Sequence, residues 1–141
     1  MEAYNLALKK GLTLSEIMIL LRGDVIWADK ELLELQIERA GAADIMSDVL
    51  AFTKPGSLIL TGLINEQSVR TAFITEVRAI VYVRGKKPTP DTIELAREKR
   101  IPLFSTSYHM YEACGILYLN GIIGNSNGEW ENNNDEQKQS V

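Results

Sequence analysis

Residues 57–90 constrain the fold of this chain more than any other stretch, because they read as one βαβ unit. Leu58, Ile59 and Leu60 run on without alternation, as do Ile80, Val81, Tyr82 and Val83, and between these runs Val69, Ala72, Phe73 and Val77 recur at helical spacing. Unalternated apolar strands are those covered on both faces, and two of them joined by a helix lie parallel. The pattern continues downstream. Thr89 is placed as an N-cap with Pro90 at the first helical position, Asp91 near the positive end of the helix dipole, and Lys99 and Arg100 near the negative end. A third strand over 101–105 follows, then a helix over 107–120 with Met110, Ala113, Cys114 and Leu117 inward, which Gly121 and Gly124 terminate. The expected fold is α/β: one three-layer domain with a parallel βαβαβ core sheet and helices on both faces, in which Ile59, Val81 and Leu103 are buried.

The upstream half is read from shorter signals. A brief helix is expected over residues 1–11. Thr13 and Glu16 have capping-box spacing ahead of Ile17, Leu20 and Leu21, so a second helix is expected before Gly23. Residues 24–28 read as a short strand, and Leu33, Leu35 and Ile37 alternate with Glu34, Gln36 and Glu38 as a half-exposed strand would. Gly41 is read as a break. Asp44 is placed to cap a helix that turns Ile45, Val49 and Phe52 to one face with Met46 nearby, and Lys54, Pro55 and Gly56 end it. From Asn125 onward the chain is polar and Asn-rich, and residues 125–141 are expected to form a disordered tail. The expected organisation is thus an extension over 1–11, a domain over 12–124 and that tail.

Composition narrows the function. With 141 residues, 45% of them hydrophobic, the chain suits a single core. A formal charge of -4 and a pI near 5.1 lack the basic excess of nucleic-acid binders. One cysteine, Cys114, permits neither an internal disulfide nor a thiolate cluster, which suits a reducing, cytoplasmic setting. No apolar run approaches the roughly 20 residues that span a bilayer, and the first ten residues lack an uninterrupted signal core. No cofactor is expected.

Parallel strands joined by right-handed crossovers release their loops at one edge of the sheet, where ligands of open α/β sheets bind. The first loop supplies Thr61, Gly62 and Asn65; the second Arg84, Gly85 and Lys86; the third Ser105, Thr106 and Tyr108. Hydroxyls, helix-terminal amides and cations together suit an anion or a nucleotide, although each residue equally suits capping or a solvated loop. Neither Walker A spacing nor a Gly-x-Gly-x-x-Gly fingerprint occurs. A nucleophile and base pair can be drawn from Ser105 or Ser107 and His109, but no oxyanion motif accompanies it, and no catalytic residue is assigned. Glu38, Asp44 and Asp48 suggest a carboxylate metal site only on paper; capping and solvation explain them better, and no metal is expected. Tyr111, Gly115 and Tyr118 form a second stripe on the last helix, either core or interface, with interface favoured.

Across about residues 12–122 the sequence resembles the DRTGG domain family, in its short stand-alone form. The residues that carry the resemblance are GAADIMSDVLAF at 41–52, LILTG at 58–62, VRTA at 69–72, IVYVRGKKP at 80–88, IPLFST at 101–106 and MYEACGILY at 110–118. Such domains also occur beside CBS domains and within a nucleotide-regulated type of inorganic pyrophosphatase, and are similar to the N-terminal domain of HPr kinase. The resemblance implies a compact α/β domain, frequent homodimerisation, and a regulatory, non-catalytic part. The chain departs from the family at Leu63 and Ile64, where many members have an acidic and a basic residue, and at Arg84, which replaces the first of two glycines and leaves only Gly85. The expected function is a regulatory domain that dimerises and binds a nucleotide or phosphorylated metabolite at the carboxyl edge of the sheet, without nucleic acid or membrane. The alternative is an assembly module for a partner enzyme, with no small-molecule ligand.

Overall fold

The computed structural model describes residues 11–126. Within them a five-stranded mixed sheet is ordered β2-β7-β6-β5-β4, from β2 (Asp24–Trp27), β4 (Ala40–Ala42), β5 (Leu58–Thr61), β6 (Ala79–Tyr82) and β7 (Leu103–Ser105). A small antiparallel pair, β1 (Leu12–Thr13) with β3 (Gln36–Ile37), stands beside it. The helices are α1 (Leu14–Leu20), α2 (Met46–Phe52), α3 (Glu66–Ile74), α4 (Pro90–Lys99) and α5 (Met110–Leu119). Strands β5, β6 and β7 are parallel neighbours, with Leu58 opposite Ala79 and Ile80 opposite Leu103, and Ile59, Val81 and Leu103 are buried as the sequence predicts.

Strands β4 to β7 are laid down side by side in chain order, so each right-handed crossover steps in the same direction and puts its helix on the same face. Met46 and Val49 of α2, Val69 and Ala72 of α3, and Ala96 of α4 accordingly share one core with Ile59, Ile80, Tyr82 and Leu103. The other face needs a separate cover. Leu14, Ile17 and Met18 of α1 and Ala113 and Leu117 of α5 supply it, against Leu58, Leu60, Val81 and Phe104. The chain after β6 therefore turns to one face and the chain after β7 to the other, so that their exits part at the carboxyl edge.

Local chemistry explains most element starts. Glu16 N donates to Thr13 Oγ1 at 3.1 Å while Thr13 N donates to Glu16 Oε1 at 3.0 Å, the expected capping box of α1. Thr89 accepts from Thr92 N, with Pro90 opening α4. Several expectations are corrected. Residues 33–38 are not one strand: Lys30–Glu34 is a 3₁₀ turn, with Leu32 N bonded to Asp29 O and Leu35 N to Leu32 O, and β3 is two residues long. The alternation still marks the inward side, since Ile37 is buried and Leu33 and Leu35 pack against it. Residues 40–42 are a parallel strand rather than a break. Gly41 fits closely there: a Cβ would meet the Asn125 side chain at 2.9 Å and Ile59 Cδ1 at 3.3 Å, and both side-chain ends would have to shift.

The stripe on α2 is Met46 and Val49 alone, with Ile45 and Phe52 exposed. Phe73 of α3 likewise faces outward, under the Lys99 ammonium at 4.5 Å from its ring centroid. The last helix begins at Met110 rather than near Ser107, with His109 at its N-cap. The helix expected over 1–11 lies almost wholly outside the described residues, as do residues 127–141 of the tail. Asn125 itself is held to the domain, its Oδ1 accepting from Lys54 N and Ser57 Oγ. Among the described residues no helix is long and apolar enough to cross a membrane.

Candidate functional site

The carboxyl edge gathers the exits of β4, β5 and β6. Thr61 ends β5 buried, its Oγ1 accepting from Leu63 N at 3.1 Å, which turns the chain immediately after the strand. That turn presents Gly62. Its N–H donates to Asp44 Oδ1 at 2.7 Å, and its carbonyl accepts from Lys86 Nζ at 3.3 Å. A Cβ at Gly62 would stand 2.5 Å from Arg84 Nη2 and 3.2 Å from Asp44 Oδ1, so only glycine lets the guanidinium lie over this peptide.

Arg84 reaches that position from an unusual backbone. Its φ is 61° and that of Gly85 is 69°, and Lys86 N donates to Val83 O at 3.2 Å, the signs and bond of a type I′ turn. Two further bonds pin the turn to the β7 exit: Arg84 N to Tyr108 O and Gly85 N to Thr106 O, each 2.8 Å. The guanidinium stands 3.9 Å from Asp44 Oδ2, an ion pair too long for a hydrogen bond. Among the described residues its side-chain N–H groups have no hydrogen-bond acceptor, and the residue is exposed.

Of the residues expected to converge, the structure brings together Gly62, Arg84 and Lys86. It assigns the others to the scaffold. Asn65 is the N-cap of α3, its Oδ1 accepting from Gln67 N, so that helix end is already capped. Ser105 is buried with its Oγ accepting from Lys87 Nζ at 2.8 Å, while Lys87 also pairs with Asp24 at 3.4 Å. Thr106 is buried, donating to Leu21 O and accepting from Tyr108 N. Tyr108 contributes its carbonyl to the Arg84 turn. Where the sequence suggests helix-terminal amides, the amide that faces the cluster belongs to the loop residue Gly62.

Asp44 is the residue that sequence reasoning misplaced. Expected as the cap of α2, it lends its carboxylate to Gly62, and the N-cap of α2 is Ile45, with no side-chain capping bond. The signal lay in β4. Once residues 40–42 are a parallel strand, Asp44 falls two residues past its carboxyl end, at the same edge as the other exits.

The remaining chemical candidates separate. His109 is exposed at the start of α5, whereas Ser105 is buried and engaged by Lys87. Among the described residues no three His, Cys, Asp or Glu side chains converge to hold a metal ion. Cys114 is half-buried on α5, and burial pushes its thiol up. Tyr82 lies below the Arg84 turn and is buried, its hydroxyl 2.8 Å from Ser68 Oγ. Ser68 Oγ donates to Asn65 O, so the Tyr82 hydroxyl donates to Ser68. Burial raises its pKa to about 12.

The architecture is that of a small α/β domain whose charged strand exits meet at one edge of the sheet. A sequence model of the DRTGG domain matches residues 16–119, and the chain belongs to that family. Among solved structures it is similar to the CBS and DRTGG domains of the regulatory region of Clostridium perfringens pyrophosphatase, complexed with the activator diadenosine tetraphosphate. The identity is 15%, the TM-score is 0.64, and the match covers 82% of this chain and 51% of that one. This chain thus spans about half the length of that regulatory region, and the likeness is one of fold. No curated protein matches the chain.

Proposed function

We propose that this DRTGG domain is a regulatory, non-catalytic module that takes a phosphoryl-bearing ligand, a nucleotide or a phosphorylated metabolite, over Gly62, Arg84 and Lys86. One observation carries the reading: a guanidinium without a hydrogen-bond acceptor among the described residues is held by a strained turn over a glycine peptide, with an ammonium bonded to the same peptide. A guanidinium engages phosphate through two parallel hydrogen bonds, and the exposed edge leaves room for the rest of a ligand. The nucleotide activator of the structurally similar pyrophosphatase region supports a ligand of this class. Calorimetry with ATP and inorganic pyrophosphate tests the reading. Arg84→Ala is expected to weaken binding by about 1.5–3 kcal/mol, the range for a hydrogen bond to a charged group, and to leave the melting temperature of the free protein nearly unchanged. Equal binding by both proteins would remove Arg84 as the anchor.

The domain works as a homodimer in this reading. Tyr111, Tyr118 and Leu119 of α5 are 87%, 74% and 86% exposed. They stand beside a groove of about 380 Å³ lined by Gly115, Ala40, Ala42 and Ile123. An apolar patch with its own recess is self-complementary, as an isologous pair requires. Light scattering of the Tyr118→Asp, Leu119→Asp double variant is expected to give the monomer mass at tens of micromolar protein, against twice that mass for the wild type. The same face gives the assembly-module reading its basis, and absence of any nucleotide or phosphate binding would favour it.

A further inference from the structure

We propose that Asp44 is the built-in occupant of the phosphoryl subsite, and that a ligand enters by displacing its carboxylate from Gly62 and Arg84. This inference rests on the ligand reading above. The Asp44 carboxylate does what a phosphoryl group would do there: one oxygen accepts from a loop amide at 2.7 Å and the other faces a guanidinium. Its placement is specific. The side chain stands next to the start of α2, yet α2 begins with no side-chain cap, and the carboxylate crosses instead to the neighbouring strand exit. It is also displaceable, since the Asp44 side chain is 54% exposed and the Arg84 pairing, at 3.9 Å, falls short of a hydrogen bond.

The groups around the cluster give the exchange its sense. Lys86 is bonded to the Gly62 carbonyl and exposed, so it can swing to a second phosphoryl group, whereas Lys87 is committed to Ser105 and Asp24. A monoanionic carboxylate faces Arg84 in the unliganded protein, and a ligand must carry at least two negative charges to replace it with a gain. Single carboxylates are thereby rejected and phosphoryl groups accepted. Displacement frees the Asp44 carboxylate beside the uncapped start of α2. Asp44 is in these terms a specificity residue.

The test is calorimetric titration of inorganic pyrophosphate, at fixed ionic strength, into wild type, Asp44→Asn, Asp44→Ala and Arg84→Ala. The Gly62 amide resonance is followed in parallel. Asparagine keeps an oxygen for Gly62 N–H but removes the competing charge, so Asp44→Asn is expected to bind roughly five- to tenfold more tightly, the effect of one like charge at about 4 Å screened as it is in bulk water, since both side chains are about half exposed. Asp44→Ala, which also unmasks the amide, should bind at least as tightly, with the Gly62 resonance shifted even before ligand is added. Melting curves establish that both variants are folded. Unchanged or weaker binding by Asp44→Asn overturns the displacement, and leaves the ligand reading standing if Arg84→Ala still loses affinity. Failure of all four proteins to bind overturns both.

Discussion

Among the described residues, three helix exits and one strand exit place a non-glycine residue in the left-handed backbone, and they differ in what it achieves. Arg22, Glu76 and Arg100 have φ of 49°, 58° and 56° after α1, α3 and α4. Each is followed by the same long bond back into its helix: Gly23 N to Met18 O, Val77 N to Ala72 O and Ile101 N to Ala96 O. Each also donates its own N–H three residues back, to Ile19, Phe73 and Arg97. Those are the paired bonds of the Schellman ending, and they account for the strained residue locally. Arg84, with φ 61°, closes no helix. A non-glycine residue in this region costs about 1–2 kcal/mol, and at Arg84 a glycine would make the same turn without that cost. What the arginine adds is its guanidinium over Gly62. Strain that local bonding explains is structural, and strain that only the side chain explains points to function.

The largest expected effect comes from removing the floor that positions every exit. Ile59, at the centre of β5, is 3% exposed between the α2–α3 layer and the sheet. Ile59→Asp buries an unpaired charge at a cost of several kcal/mol, so the protein is expected to lose its cooperative melting transition. A soluble Ile59→Asp protein that melts cooperatively would show that the strand exits do not depend on this layer.

A smaller effect, specific to the strand-exit side, appears in alkali. Tyr82 ends β6 just before the Arg84 turn, and burial raises its pKa from 10.0 to about 12. The folded state therefore holds this proton more tightly than the unfolded chain. The stability that follows is fully present below pH 10 and is lost as pH rises toward 12, by roughly 2–3 kcal/mol in total. Tyr82→Phe costs about 1 kcal/mol at neutral pH through the lost bond to Ser68, and removes that part of the alkaline decline. Urea unfolding of both proteins at pH 8 and pH 11 checks it: the gap between them should narrow or reverse at the higher pH.

The sequence made the centre of the sheet legible and its margins less so, for reasons visible in particular residues. Leu58 to Leu60 and Ile80 to Val83 are continuous apolar runs that only a doubly covered strand uses, so β5 and β6 were readable. Ala40, Gly41 and Ala42 have neither bulk nor branching; their strand is made by parallel pairing with Leu58, Ile59 and Leu60, a non-local contact that no local pattern encodes. Missing β4 hid Asp44, and with it the state of the site. Glu76 hid the end of α3 in a similar way, since a helix ending without glycine or asparagine leaves Val77 looking like one more turn of the stripe. Gly62, Arg84 and Lys86 were legible because parallel topology alone brings strand exits together. That Ser105, Thr106 and Asn65 turn inward to Lys87, Leu21 and α3 depends on rotamers that spacing does not set.

The smallest effect separates the two kinds of exit most cleanly. Glycine adopts the left-handed region without the steric cost of a side chain, but gives back part of that gain through the extra freedom of the unfolded chain, about 0.5–1 kcal/mol. Glu76→Gly and Arg84→Gly should therefore each stabilise the protein by a similar net amount, on the order of 0.5–1 kcal/mol. Glu76 is a suitable control: it is exposed, and its backbone bonds, from its own N–H to Phe73 O and from Gly56 N to its carbonyl, survive the change. Arg100 is a poorer one, because its guanidinium pairs with Asp29 at 2.7 Å. Denaturant unfolding of the two glycine variants should shift to higher midpoints by similar amounts. Pyrophosphate binding should then divide them, unchanged in Glu76→Gly and weakened in Arg84→Gly. If Arg84→Gly gained no stability, the turn would not be strained by its arginine, and the argument from strain to site would fail even with binding weakened. If it gained stability and kept its affinity, the arginine would be an idle departure from the paired glycines of the family.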